Sequence, residues 1–208
     1  MFISPELIIN GYKNGIFPMA ESADAPYIFW VNPDQRGIIK INDFKLSRSL
    51  KKFIKKEIYK VHVNKNFEKI IKECGSATEH RKETWINKQI IDCYVELYER
   101  GNAVSVECYE NFNLVGGLYG VKIGKVFFGE SMFSKKVNAS KVSLVYLAAY
   151  LKEGGFNFID TQYFTKHLSQ FGALELRKKK YLDLLKKNIE EESFFPDSLK
   201  NNVLDYFI

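Results

Sequence analysis

Residues 103–128 decide the fold. They read Ala103-Val104-Ser105-Val106-Glu107-Cys108-Tyr109, then Leu114-Val115-Gly116-Gly117-Leu118-Tyr119-Gly120 running on to Ile123, then Lys125 to Phe128. β-Branched and aromatic residues fill these runs, and Asn111-Phe112-Asn113 and Gly124 supply the turns between them. The pattern predicts three antiparallel strands. Downstream, residues 139–153 have helical apolar spacing and stop at Gly154-Gly155. Phe156-Asn157-Phe158-Ile159 then alternates as a strand and delivers Asp160. Antiparallel strands followed by helix, strand and helix predict an α+β class.

Working outward, residues 4–15 read as a short helix, with Ser4 as cap, Pro5 at the first turn and Gly15 as stop. Tyr27 to Val31 is strand-like before the turn signal Asn32-Pro33-Asp34, and Gly37 to Ile41 is a second short strand. Residues 1–44 therefore read as a small β-rich N-terminal domain, and 45–208 as the main domain. Leu46, Leu50, Phe53 and Ile54 fall on one helical face, ringed by Arg48, Lys51, Lys52, Lys55 and Lys56. A strand at 59–63 and helices at 67–74 and 86–100 precede the central strands. After Asp160 the pattern predicts helices near 163–170 and 177–190 and a short C-terminal strand.

Composition excludes several classes. With 208 residues, 46% hydrophobic and 15% aromatic, the chain buries a real core and is not disordered. Its net charge of +6 permits a polyanionic partner without requiring one. Cys74, Cys93 and Cys108 have neither metal-like spacing nor a complete disulfide count, so they read as reduced thiols. His62, His80 and His167 are too scattered for a metal set, and His167 reads as structural. No P-loop and no G-x-S-x-G elbow occurs. No apolar run approaches the roughly twenty residues of a membrane helix. Met1-Phe2-Ile3-Ser4-Pro5-Glu6 lacks the basic-then-apolar order of a signal peptide. The expectation is a cytoplasmic protein without membrane attachment.

Two segments carry chemistry: Gly129-Glu130-Ser131-Met132-Phe133-Ser134 and Asp160-Thr161-Gln162. Carboxylates among apolar residues are rare unless something pairs with them. Read alone, Asp160 either caps the following helix or works with Gln162. The cations of residues 45–60 either form a solvated helix face or meet phosphates.

These segments, with Thr84-Trp85-Ile86 and Leu114 to Gly120, resemble the leucyl/phenylalanyl-tRNA–protein transferases, in one order over most of the chain. The resemblance implies an acetyltransferase-like (GNAT-like) fold for residues 45–208 and an activity that needs no cofactor. Leucine or phenylalanine, with methionine a further candidate, passes from aminoacyl-tRNA to the N-terminal amine of an acceptor protein. In that family the acceptor usually begins with Lys or Arg, and the product is marked for degradation. The partners implied are aminoacyl-tRNA and the acceptor N-terminus, on a monomeric enzyme.

The same resemblance assigns catalysis to Asp160 and Gln162. An ordinary Asp, with a pKa of about 3.9, is a poor base toward an ammonium ion. Asp160 is therefore expected to orient Gln162 and stabilise positive charge, while the Gln162 carbonyl aims the attacking amine. Glu130 and Ser131 fall at the aminoacyl site, where Glu130 holds the substrate's α-amino group. Leu118, Phe127, Met132, Leu144, Leu147, Leu151 and Ile159 match or neighbour the apolar pocket. Leu147 and Leu151 are commonly aromatic in the family, so leucine here alters pocket depth. Trp30, Trp85 and Tyr94 match aromatic positions around the 3′-terminal adenosine, and Arg48, Lys51, Lys52, Lys55 and Lys56 face the tRNA backbone. Two alternatives fare worse. An acyl-CoA N-acetyltransferase needs a Q/R-x-x-G-x-G/A turn that is absent, and a non-catalytic RNA-binding module leaves Glu130, Asp160 and Gln162 without a task.

Overall fold

The structure is a computed structural model describing residues 3–76 and 83–207; His80 lies outside the described residues. Helix α1 (Pro5–Lys13) starts as expected, with the Ser4 hydroxyl accepting from the Leu7 N–H. A two-stranded ribbon of β1 (Phe17–Ala20) and β2 (Ile28–Val31) follows, and β1 escaped the sequence reading because Pro18 interrupts it. Then come β3 (Gln35–Lys40), α2 (Arg48–Ile54), β4 (Lys60–Val63), α3 (Phe67–Gly75) and α4 (Lys88–Glu99). The central strands are β5 (Ala103–Glu110), β6 (Asn113–Ile123) and β7 (Val126–Ser134), as the opening stretch predicts. Helix α5 (Ala139–Glu153), β8 (Phe158–Gln162), α6 (Lys166–Ser169), β9 (Leu174–Arg177) and α7 (Lys178–Asn188) follow. The expected C-terminal strand is instead a 3-10 turn, Val203–Phe207, which buries Val203 and Leu204.

Seven strands form one mixed sheet in the order β4-β5-β6-β7-β8-β3-β9. β3, from within residues 1–44, lies between β8 and β9, so the front of the chain is an interior strand of the main sheet. Every pairing is antiparallel except β7 with β8. That parallel pairing is short: it spans Val126–Phe128 against Phe158–Asp160 and then stops. Beyond it β7 stays with β6 and β8 stays with β3, so a gap opens in the middle of the sheet.

Irregularities re-aim the side chains at that gap. Tyr119 pairs with Ser131 and Gly120 with Gly129, which leaves Glu130 as the extra residue of a bulge. On β8, Gly37 faces Gln162 and Ile38 faces Asp160, which leaves Thr161 extra. Gln162 sits at φ +62°, a left-handed conformation uncommon for a non-glycine residue. The sheet separates two apolar cores. One holds Ile8, Tyr12, Phe17, Tyr94 and Phe128; the other holds Ile39, Phe127, Leu144, Leu147 and Ile159.

Two glycines permit close approaches. A Cβ at Gly116 would lie 2.5 Å from the Ala139 Cβ, so its absence lets α5 seat on the sheet. A Cβ at Gly37 would lie 2.5 Å from Thr161 Oγ1 and 2.6 Å from the Phe164 N, pressing on the segment that follows Gln162. Gly37→Ala is accordingly expected to lose about 1–3 kcal/mol in urea unfolding, because backbone rather than a flexible side chain must move. Wild-type stability in that variant would show that the 161–164 segment yields freely.

Candidate active site

Asp160 is fully buried, at 0% exposure, and Arg36 from β3 is 1% exposed. Arg36 forks onto it, with Nε 2.9 Å from Oδ1 and Nη2 2.8 Å from Oδ2. The Tyr181 hydroxyl from α7 donates to Oδ2 at 2.5 Å, and the Gln162 N–H donates to Oδ1 at 2.8 Å. Burial alone would lower the Arg36 pKa, but the Asp160 carboxylate more than offsets it and leaves the guanidinium above its ordinary value. Phe17 and Tyr181 stack on that guanidinium at 4.5 and 4.8 Å. Asp160 therefore carries a compensated charge and spends its oxygens within the protein. The sequence reading gave it a part in stabilising charge on the attacking nitrogen. The structure shows it fully buried, paired with Arg36 and accepting the Gln162 N–H.

Glu130 differs in kind. It is 8% exposed, and no cation pairs with it among the described residues. Gln162 Nε2 donates to Oε1 at 3.0 Å and the Tyr12 hydroxyl donates to the same oxygen at 2.5 Å. The Tyr94 hydroxyl lies 3.1 Å from Oε2, and the two phenols also touch each other. Three oxygen contacts thus share two phenolic protons. A proton on Glu130 completes the set. Burial raises this carboxyl to about 7, against the opposing hydrogen bonds of Tyr12, Tyr94 and Gln162. The same burial, with Glu130 close by, holds both phenols well above their ordinary value, so they remain donors.

The contact to Glu130 also sets the orientation of the Gln162 amide: its NH2 faces the carboxyl, so its carbonyl faces away. Beside these groups lies a cavity of about 320 Å³. Its wall includes Leu118, Phe127, Met132, Leu144, Leu147 and Ile159, with Glu130 and Ser131 at the gap. Leu151 is absent from that wall; it is fully buried in the core behind it.

Other expected residues lie elsewhere or stand differently. Tyr94 has 0% exposure, and its hydroxyl is turned to Glu130. Trp30 is half-buried over Gly11, and Trp85 is half-buried against the first core. Arg48, Lys52, Lys55 and Lys56 are exposed and Lys51 is half-buried, although α2 ends at Ile54 and the last two cations follow it. Among the described residues no carboxylate pairs with any of the five. His167, read as structural, lines the cavity rim with Thr165 and Leu168 and stacks on Phe171. Burial and Lys141 hold its imidazole below the ordinary value.

Tyr12, Arg36 and Tyr181 were missed. Tyr12 and Arg36 lie more than a hundred residues from their partners and Tyr181 lies 21 from Asp160; the pairing of β3 with β8 and the seating of α1 and α7 unite them. The one available signal was Arg36 itself, a cation immediately before the apolar run Gly37-Ile38-Ile39.

An apolar cavity with a carboxyl in its wall that has no counter-ion, hydrogen-bonded to the neighbouring Gln162 carboxamide, is suited to acyl transfer that handles an amine. Comparison with known proteins narrows this. A family model described as "Leucyl/phenylalanyl-tRNA protein transferase" matches residues 38–186, and its N-terminal domain model matches residues 1–34. The chain is 45% identical to the leucyl/phenylalanyl-tRNA–protein transferase of Paramagnetospirillum magneticum, covering 93% of this chain and 92% of that one. It is 46% identical to the protein of that name from Rhodopseudomonas palustris, covering 88% and 80%. Among solved structures, "The structure of L-PGS from Bacillus licheniformis" overlaps 76% of this chain and 53% of that one, at 13% identity and a TM-score of 0.43. The chain belongs to the leucyl/phenylalanyl-tRNA–protein transferase family and is an aminoacyltransferase.

The titration of Glu130 has a measurable consequence. Its folded value of about 7 lies above the ordinary 4.5, so folding favours the protonated form. That contribution is complete below pH 4.5 and is lost as pH rises through about 7. Stability is expected to fall by on the order of 3 kcal/mol over that window, and Glu130→Gln is expected to flatten the fall. Parallel pH–stability curves for the two proteins would place the titration elsewhere.

Proposed function

We propose that this enzyme moves leucine or phenylalanine, with methionine as a further donor, from aminoacyl-tRNA to the N-terminal amine of an acceptor protein. The acceptors begin with Lys or Arg, and the added residue marks them for degradation. The observation that carries the reading is the hydrogen bond from Gln162 to Glu130, a carboxyl that lines the apolar cavity. The enzyme is proposed to be a cytoplasmic monomer; no helix among the described residues is long and apolar enough to cross a membrane.

The donor side chain enters the cavity, where burial contributes about 0.8 kcal/mol per CH₂. Its α-ammonium meets Glu130 and supplies the counter-charge that this carboxyl lacks, which lets it ionise. The ester carbonyl then stands beside Gln162. The free carbonyl of Gln162 accepts an N–H from the incoming amine and aims its lone pair. Free α-amines titrate near 7.7–8.0, so a neutral fraction is already present at physiological pH. The nitrogen bonds to the ester carbon, the carbon–oxygen bond to the terminal ribose breaks, and the proton lost by nitrogen ends on the departing hydroxyl. No nucleoside triphosphate and no cofactor enters this balance. Asp160 acts through the Gln162 backbone, and Arg36 and Tyr181 act through Asp160; all three are positioning residues.

Trp30 and Trp85 are assigned to the 3′-terminal adenosine, where a stacked base contributes about 1–3 kcal/mol. Arg48, Lys51, Lys52, Lys55 and Lys56 take the tRNA backbone. The break in the β7–β8 pairing supports the acetyltransferase-like (GNAT-like) reading of residues 45–208. Residues 1–44 form the small N-terminal unit, which lends β3 to the larger sheet.

Incubation with radiolabelled leucyl-tRNA and a peptide beginning with Arg tests the proposal: label should pass to the peptide and be abolished by ribonuclease. Label taken from acetyl-CoA instead, or tRNA bound without transfer, would overturn it. Gln162→Ala is expected to lower kcat about 100-fold with tRNA affinity unchanged. Leu147→Phe is expected to change the leucine-to-phenylalanine ratio; an identical ratio would remove that residue from the donor pocket.

A further inference from the structure

The β5–β6 hairpin closes through a two-residue loop, since Glu110 pairs with Asn113. Both loop residues have positive φ, Asn111 at +47° and Phe112 at +67°. This is the pattern of a type I′ turn, whose second position favours glycine. Phenylalanine there carries backbone strain, and its side chain is 96% exposed. Neither conformation nor burial favours it, so folding does not explain this residue.

Its surroundings do. Phe112 borders a groove of about 440 Å³ with Lys60, His62, Lys65 and Tyr109. The Lys65 ammonium lies 4.5 Å from the centre of the Tyr109 ring, and Lys60 faces Tyr109 across the β4–β5 pair. Glu57 and Ile58 close the groove, and Lys55 and Lys56 directly precede them, so the groove continues the cationic stretch of residues 45–60. Burial and Lys65 keep His62 below its ordinary value, which leaves the lysines as the cations of the groove.

The hairpin tip also points the right way. Gly116 of β6 pairs with Ser134, the last residue of β7. β8 runs parallel to β7, so Gln162 and the hairpin tip lie toward the same end of the sheet. Glu130 immediately precedes Ser131, the partner of Tyr119, and Tyr119 lies seven positions along β6 from Phe112, or roughly 23 Å in an extended strand.

We propose that Phe112 and this groove form a second tRNA contact, in which the ring stacks on an unpaired base while Lys60 and Lys65 take the flanking phosphates. The contact would lie in the body of the tRNA, remote from the aminoacylated end, and it rests on the transferase reading above. A stacked base is a sequence-tolerant partner for an exposed ring, and lysines fit phosphates, whereas a purely apolar protein partner would leave those lysines unpaired.

The test uses Phe112→Gly in the full-length enzyme. Glycine suits the turn, so the thermal midpoint is expected to rise by about 2–5 °C. Full-length leucyl-tRNA is expected to bind about 5- to 100-fold more weakly, and Phe112→Trp to restore binding. Transfer from a short leucyl-ester of adenosine, which reaches only the cavity, is expected to be unchanged. Wild-type tRNA affinity in Phe112→Gly overturns the contact, as does equal loss with both donors. If the wild-type enzyme transfers from neither donor, the transferase reading fails instead.

Discussion

The buried pair of Arg36 and Asp160 is the constraint on which the site depends. It joins β3 to β8 and, through Tyr181, both to α7. Removing two ions from water costs several kcal/mol each, and only full pairing and hydrogen bonding offset that cost. Here every partner is present: a two-nitrogen fork, a phenol and a backbone amide. The amide belongs to Gln162, so the pair also holds the one residue of the site with left-handed backbone. Strain at Gln162 is thus borne by an interaction with no exposure to solvent.

The neighbouring carboxyl shows the opposite design. Glu130 has hydrogen-bond partners but no counter-ion, and its bulge sets it at the seam between the two cores. One acid is paired with an internal cation, while the other has no cation beside it among the described residues. Two acids on adjacent strands, within one hydrogen-bonded cluster, are separated in role by the company they keep. The short parallel pairing makes this possible, because a sheet continuous past Phe128 would fill the gap with backbone.

Much of this was legible in sequence. Alternation at 103–128 and the glycine stops around 139–155 are strong local signals, and they located the central strands, α5 and β8. Glu130, Asp160 and Gln162 stood out because polar residues interrupt apolar runs. The apolar residues came from the family resemblance; all but Leu151 line the cavity, and Leu151 is buried in the core. What sequence could not show was long-range pairing. Arg36 reads as a surface cation until β3 is placed beside β8, and Tyr12 reads as one more helical aromatic until α1 is seated. The bulge at Glu130 has no local mark either, since it arises from register with Tyr119 and Gly120. The C-terminal turn was misread because a short apolar run does not tell a strand from a single turn of helix.

Tyr12 and Arg36 both precede residue 38, where the larger of the two matched regions begins. A chain trimmed to that larger region would retain both acids but lose one of the two phenols at Glu130 and the guanidinium at Asp160. The short leading segment is therefore no detachable ornament: it carries the electrical half of a centre whose other half is encoded more than a hundred residues later.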